Sequence, residues 1–96
     1  MHMAGPEQVR VEFAPSLRRH VECAPQTVAP GSLRAVLEAA LMAEPALGHY
    51  VFDDQRAVRK HVAVFVNQQM VTDRVNLNQL LEPGDRVLVI GALTGG

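Results

Sequence analysis

The sequence predicts an α+β domain in which a mixed sheet is covered on one face by one main helix. Three observations carry that expectation. Val9, Val11 and Phe13 alternate with Arg10 and Glu12, and Val62, Val64 and Val66 alternate with Ala63 and Phe65, the period of two that marks strands. Leu33, Val36, Leu37, Ala40 and Leu41 recur at i, i+3, i+4, i+7 and i+8, one apolar stripe of a helix. Valine supplies 14 of the 96 residues, a bias towards pleated, half-buried strands that argues against disorder. A chain of this length has room for one domain.

The elements follow in order. Residues 1–8 read as a disordered N-terminus or an expression remnant, and the folded domain spans residues 9–90. The first strand is Val9 to Phe13, and Pro15 breaks the run. A second extended stretch, His20 to Val28, carries Val21 and Cys23 on one face, and its Pro25 predicts an edge strand or a bulge. Pro30-Gly31-Ser32 is a turn that leaves Ser32 to cap a helix. The helix begins at Leu33 and is expected to end at Pro45. Ala46 to Lys60 is read as mostly irregular. His61 to Asn67 forms the next strand, and the Asn67-Gln68-Gln69 turn leads to a short strand at Met70 to Thr72, asparagine being tolerant of left-handed backbone. Asn78 to Leu81 is expected to form one helical turn. Glu82-Pro83-Gly84-Asp85 places proline and glycine at the centre of a type II turn, which launches the last strand, Arg86 to Ile90. With the last strand beside the first, this order gives a β-grasp arrangement.

Composition narrows the function classes. Nine Lys and Arg against ten Asp and Glu leave a formal charge of −1, with the eight arginines scattered along the chain, which argues against a nucleic-acid binder. No apolar run reaches the roughly 20 residues of a membrane span and no targeting segment is evident. One cysteine makes no internal disulfide, so a reducing, cytoplasmic setting is expected. Cys23 lacks a neighbouring histidine or helix N-terminus to activate it and reads as packing. His20, His49 and His61 have no ligand spacing, so no metal site is expected. Arg56, Arg59 and Lys60 form a small basic run that reads first as a solvated face and secondarily as a docking element. No phosphate loop, Ser/His/Asp set or carboxylate pair occurs, so the chain is not expected to catalyse alone.

The remaining chemical feature is the sequence Gly91-Ala92-Leu93-Thr94-Gly95-Gly96 after the last strand. Residues 91–96 read as a flexible tail that presents a carboxylate on a slim stalk. Two terminal glycines arise by chance in roughly one chain in 200 at ordinary glycine frequency.

Gly84 to Gly96 resembles the C-terminus of the ubiquitin-like sulfur carriers, the MoaD/ThiS family of the molybdopterin synthase small subunit and the thiazole-biosynthesis carrier. Val64-Phe65-Val66-Asn67, then Leu80-Leu81 and Pro83-Gly84-Asp85, is similar to the central pattern of that family. Gln68 departs from it where glycine is common, and the Pro45 to Lys60 segment is longer than in the shortest carriers. The resemblance implies a ubiquitin-like β-grasp and a protein cosubstrate rather than an enzyme. It implies that an E1-like adenylyltransferase and sulfurtransferase uses ATP and magnesium to adenylate the Gly96 carboxylate. A thiocarboxylate on Gly96 would then supply sulfur to a biosynthetic enzyme. An unactivated α-carboxylate, with a pKa near about 3.5, is ionised and a poor electrophile, and Gly95 and Gly96 suit a narrow nucleotide site because they lack a Cβ.

The alternatives are the small subunit of molybdopterin synthase, a protein modifier joined to lysine through Gly96, and a binding module with incidental glycines. No cofactor is expected to be bound by the chain itself, which is expected to be a monomer when free. If Val87 and Val89 face the helix, then Leu88, Ile90 and Phe65 form an apolar patch beside the tail, unless residues 46–60 fold over it. Such patches mark interfaces, and the related carriers look to meet their activating enzyme there. Phe65, Leu88, Ile90, Leu93 and Thr94 are the expected partner contacts.

Overall fold

The computed structural model describes residues 8–14 and 24–91. They build strands β1 (Val9–Phe13), β2 (Gln26–Val28), β3 (Val62–Val66), β4 (Gln69–Met70) and β5 (Arg86–Gly91), and helices α1 (Leu33–Leu41) and α2 (Pro45–Val51). The sheet order is β2-β1-β5-β3-β4. β5 runs parallel to β1, while β1 with β2, β3 with β4 and β3 with β5 are antiparallel. This is the β-grasp: the last strand fills the centre, between the first strand and the third.

Register fixes which face is buried. Val11 and Phe13 stand opposite Val87 and Val89, which stand opposite Val66 and Val64 on the other side. All six side chains lie in the core. The α1 stripe closes over them, and Leu33, Val36, Leu37, Ala40 and Leu41 are buried. Ser32 caps α1 by accepting the Ala35 N–H at 3.1 Å, one of the amides a helix start leaves unpaired.

Segment 77–81 satisfies other amides at that end, because Leu33 N donates to Gln79 O at 2.8 Å and Arg34 N to Leu77 O at 2.9 Å. These carbonyls are therefore committed outside their own segment, and the expected helical turn at Asn78 to Leu81 is absent: Leu80 instead bridges to Ser32. Leu81 is buried, whereas Leu80 is exposed.

The structure corrects the reading of residues 42–60. α1 ends at Leu41, with Met42 as its cap, and Pro45 opens a second helix rather than terminating the first. Proline at a first helical position sacrifices no intrahelical hydrogen bond and has φ already set. Leu47 and Val51, one turn apart, are buried, as is Val58. All three join the core beneath the helices, so this segment packs on the core side and does not fold across Phe65, Leu88 and Ile90. Beyond α2, the Asp53 carboxylate accepts the Gln55 and Ala57 amides at 2.8 and 3.0 Å and shapes the turn that returns to Val58.

The remaining strands shift slightly from expectation. The second is Gln26–Val28, at the sheet edge beside Pro25, and the part of the expected strand in residues 15–23, with Val21 and Cys23, lies outside the described residues. The short fourth strand is Gln69–Met70. Asn67 and Gln68 link β3 to β4 with φ of 49° and 74°, the paired left-handed conformation of a two-residue hairpin turn. Gly84 has φ 93° and Asp85 N donates to Glu82 O at 3.0 Å, as a type II turn requires. No helix among the described residues is long and apolar enough to cross a membrane.

Candidate functional site

Alternation along β5 separates two sets of side chains. Val87 and Val89 enter the core, whereas Leu88 and Ile90 occupy the opposite face and are half-buried. Register places Phe65 beside Leu88 on one side and Glu12 on the other, with Ala63 beside Ile90. Both helices pack on the far side of the sheet, so this apolar row is open. It forms a concavity of ≈ 520 Å³ lined by Glu12, Phe65, Leu88 and Ile90 and, at one end, by Asn67 and Gln68.

The Asn67 end is held by a polar network. Asn67 Nδ2 donates to Asp85 Oδ1 at 3.0 Å, and Asn67 Oδ1 accepts the Arg86 amide at 3.0 Å. Asp85 Oδ2 accepts the Glu82 amide at 2.8 Å. The backbone hydrogen bond from Glu82, then the side-chain hydrogen bond from Asn67, hold the Asp85 carboxyl below its ordinary value of 3.8, against the opposing effect of burial. One side chain thus ties the β3–β4 hairpin to the turn before β5 and fixes where β5 starts.

At the other end β5 reaches Gly91, paired with Val62, and the tail follows. Leu93, Thr94, Gly95 and Gly96 lie outside the described residues. The structure therefore brings Phe65, Leu88 and Ile90 together on the strand that leads into the tail. Sequence reasoning missed Glu12 in this row, although its alternation with Val11 and Phe13 gave its face; only the parallel β1–β5 register makes it a neighbour of Leu88. It also missed the Asn67–Asp85 bond, for which the sequence carries only two separate turn signals.

His49 and His61 are exposed. Among the described residues no group of three or more His, Cys, Asp or Glu is arranged to hold a metal ion. What this face offers is apolar area and shape for a partner.

Comparison with known proteins extends the picture. The fold is similar to the crystal structure of SAMP1 from Haloferax volcanii, with a TM-score of 0.78 at 21% identity over 93% of this chain and 99% of that one. It is similar to a chain of the BexX/CysO complex from Amycolatopsis orientalis, with a TM-score of 0.75 at 17% identity over 92% and 99% of the two chains. A chain of the complex of molybdopterin-converting factor subunits 1 and 2 from Helicobacter pylori 26695 has a TM-score of 0.59 at 21% identity over 93% and 99%. At these identities the likeness is one of fold. No curated protein matches the sequence. The model of the ThiS family matches residues 16–96, which include Phe65, Leu88 and Ile90 of the open face, the Asn67 turn, β5 and both glycines, and leave out β1 with Glu12. The chain therefore belongs to the ThiS family, the ubiquitin-like sulfur carriers whose terminal pattern its own Gly84 to Gly96 resembles.

Proposed function

We propose that the chain is a sulfur carrier whose Gly96 carboxylate is activated by a partner enzyme and loaded with sulfur for the biosynthesis of a small molecule. The observation that carries this reading is that the family match continues through Gly96 while β5 delivers the chain to that tail beside an open apolar face. In the proposed sequence an E1-like adenylyltransferase holds ATP and magnesium. A Gly96 carboxylate oxygen attacks the α-phosphorus, the bond to the β-phosphate oxygen breaks, and pyrophosphate leaves. The acyl-adenylate is then attacked by hydrosulfide, AMP departs with the bonding pair, and a thiocarboxylate remains on Gly96. With a protein persulfide as donor the first product is an acyl disulfide, which a thiol reduces to the same thiocarboxylate. Phe65, Leu88 and Ile90 serve as the docking face, and Leu93 and Thr94 line the way into the enzyme. Gly95 and Gly96 provide the slim reactive end, glycine having no Cβ to obstruct a narrow channel.

Intact mass spectrometry tests this after incubation with the E1-like adenylyltransferase of the same organism, ATP, magnesium and sulfide. The expected product is heavier by the exchange of one oxygen for sulfur, and deletion of Gly96 abolishes it without altering the circular dichroism spectrum. An unchanged mass overturns the reading. Higher-mass species linked to lysine, formed without the thiocarboxylate, overturn it in favour of a protein modifier, a reading favoured by likeness to the small archaeal modifier protein 1 of Methanosarcina acetivorans.

A further inference from the structure

The turn between α2 and β3 lies at the same end of the sheet as the departure of the tail. Val62 pairs with Gly91 in an antiparallel register, so His61 and Lys60, immediately before β3, flank the point where residue 92 begins. The turn is closed by Val62 N donating to Arg59 O at 2.9 Å. The Arg74 guanidinium clamps it from outside by donating to both Arg59 O and Val62 O. Arg59 is anchored in turn, its Nε donating to His49 O at 3.1 Å and its amide to Val51 O at 2.9 Å. Arg59, Lys60 and His61 are all exposed at this corner. Among the described residues the ion pairs join Arg10 to Glu12, and Arg34 and Arg56 to Glu38; none engages Arg59, Lys60 or Arg74. Of these cations, Arg59 alone acts on Asp53, whose carboxyl is held below its ordinary value first by the Ala57 and Gln55 amides and, after the opposing effect of burial, by the charge of Arg59. Two permanent cations, Arg59 and Lys60, therefore stand in one exposed turn, braced by a third, the half-buried Arg74, on a chain whose overall charge is −1.

We propose that this turn is a cationic collar that docks against an acidic rim around the channel of the protein that takes in the tail. The inference rests on the sulfur-carrier reading and adds the chemistry of the partner's surface. The five residues 92–96 span at most about 18 Å when extended. An extended tail that delivers Gly96 to a nucleotide holds the collar at the channel mouth, remote from the phosphates, so the complementary charge belongs to the partner protein. Charges at an interface rim act mainly on encounter and its salt dependence. The apolar face supplies the contact area, and the collar orients the tail towards the opening.

Titration calorimetry without ATP separates this docking step from the chemistry of Gly96. The probe is the E1-like adenylyltransferase of the same organism, titrated with the full chain, with Lys60→Gln and with Lys60→Glu, at low and at high salt. Wild type is expected to bind more weakly as salt rises. Lys60→Gln is expected to raise Kd about threefold and Lys60→Glu about tenfold at low salt, with unchanged Tm and a shallower salt dependence. Equal Kd values and equal salt dependence for the three proteins overturn the collar, as does an absence of binding by wild type. Normal, salt-sensitive binding together with failure of Gly96 to be adenylated leaves the collar standing and overturns the sulfur-carrier chemistry alone.

Discussion

Asp85 shows how much a single half-buried side chain contributes to the geometry before the tail strand. Its folded carboxyl sits below the ordinary value because the Glu82 amide and the Asn67 side chain both donate to it. A depressed folded pKa means that the unfolded chain binds the proton more tightly. The stabilisation is thus complete above the unfolded value of 3.8 and is lost as pH falls through the folded one. Asp53 and Asp73 are lowered first by backbone amides, Ala57 and Asn76 respectively, and act with the same sign. Urea midpoints measured at successively lower pH are expected to fall below that value, with a shallower fall in Asp85→Asn. The neighbouring turn provides a second test. Gln68 holds φ 74°, a left-handed conformation that costs a residue with a Cβ about 1–2 kcal/mol and glycine far less. Gln68→Gly is expected to raise stability by about 1 kcal/mol, after allowance for the greater freedom of glycine in the unfolded chain, measured as a higher urea midpoint.

At the scale of elements, α1 is legible because every local signal agrees: a Ser32 cap, a regular stripe and no internal proline. Leu37 sits at the centre of that stripe with 0% exposure. Leu37→Ala is expected to cost about 2–5 kcal/mol, through lost transfer energy and the cavity left behind, a large share of the stability of a small domain. Thermal or urea unfolding checks it. α2 was hidden because Pro45 is a helix breaker in one context and a first-turn residue in another, and a seven-residue helix offers only Leu47 and Val51 as a stripe. The turn expected at Asn78 to Leu81 failed for a different reason. Its local propensity lost to the unpaired amides of α1, partners that lie more than forty positions earlier in the chain.

For the whole molecule, the decisive arrangement is that both helices share one side of the sheet. The opposite side keeps Phe65, Leu88 and Ile90 half-buried, so a charge introduced there meets solvent rather than core. Ile90→Asp is expected to lower stability by about 1 kcal/mol, far less than an unpaired charge in a core would cost, while raising the Kd for the activating enzyme proposed above at least about tenfold. Differential scanning calorimetry and binding measurements on the same protein check both halves. A collapse in Tm would mean that Ile90 is core, and an unchanged Kd would remove it from the interface.

The sequence by itself determined what depends on neighbours in the chain. The periods of two and 3.6, the Ser32 cap and the Pro83-Gly84 turn specified the strands, α1 and the two faces of β5, and the terminal pattern pointed to the family. Tertiary structure decided what depends on residues far apart. The side on which segment 46–60 packs, the alignment of Glu12 and Phe65 with Leu88, the bond between Asn67 and Asp85, and the clamp of Arg74 on the turn beside Gly91 all follow from strand register and helix placement. Those are set by burying one continuous core, Val9 to Val89, and no local pattern encodes which distant surfaces will share it.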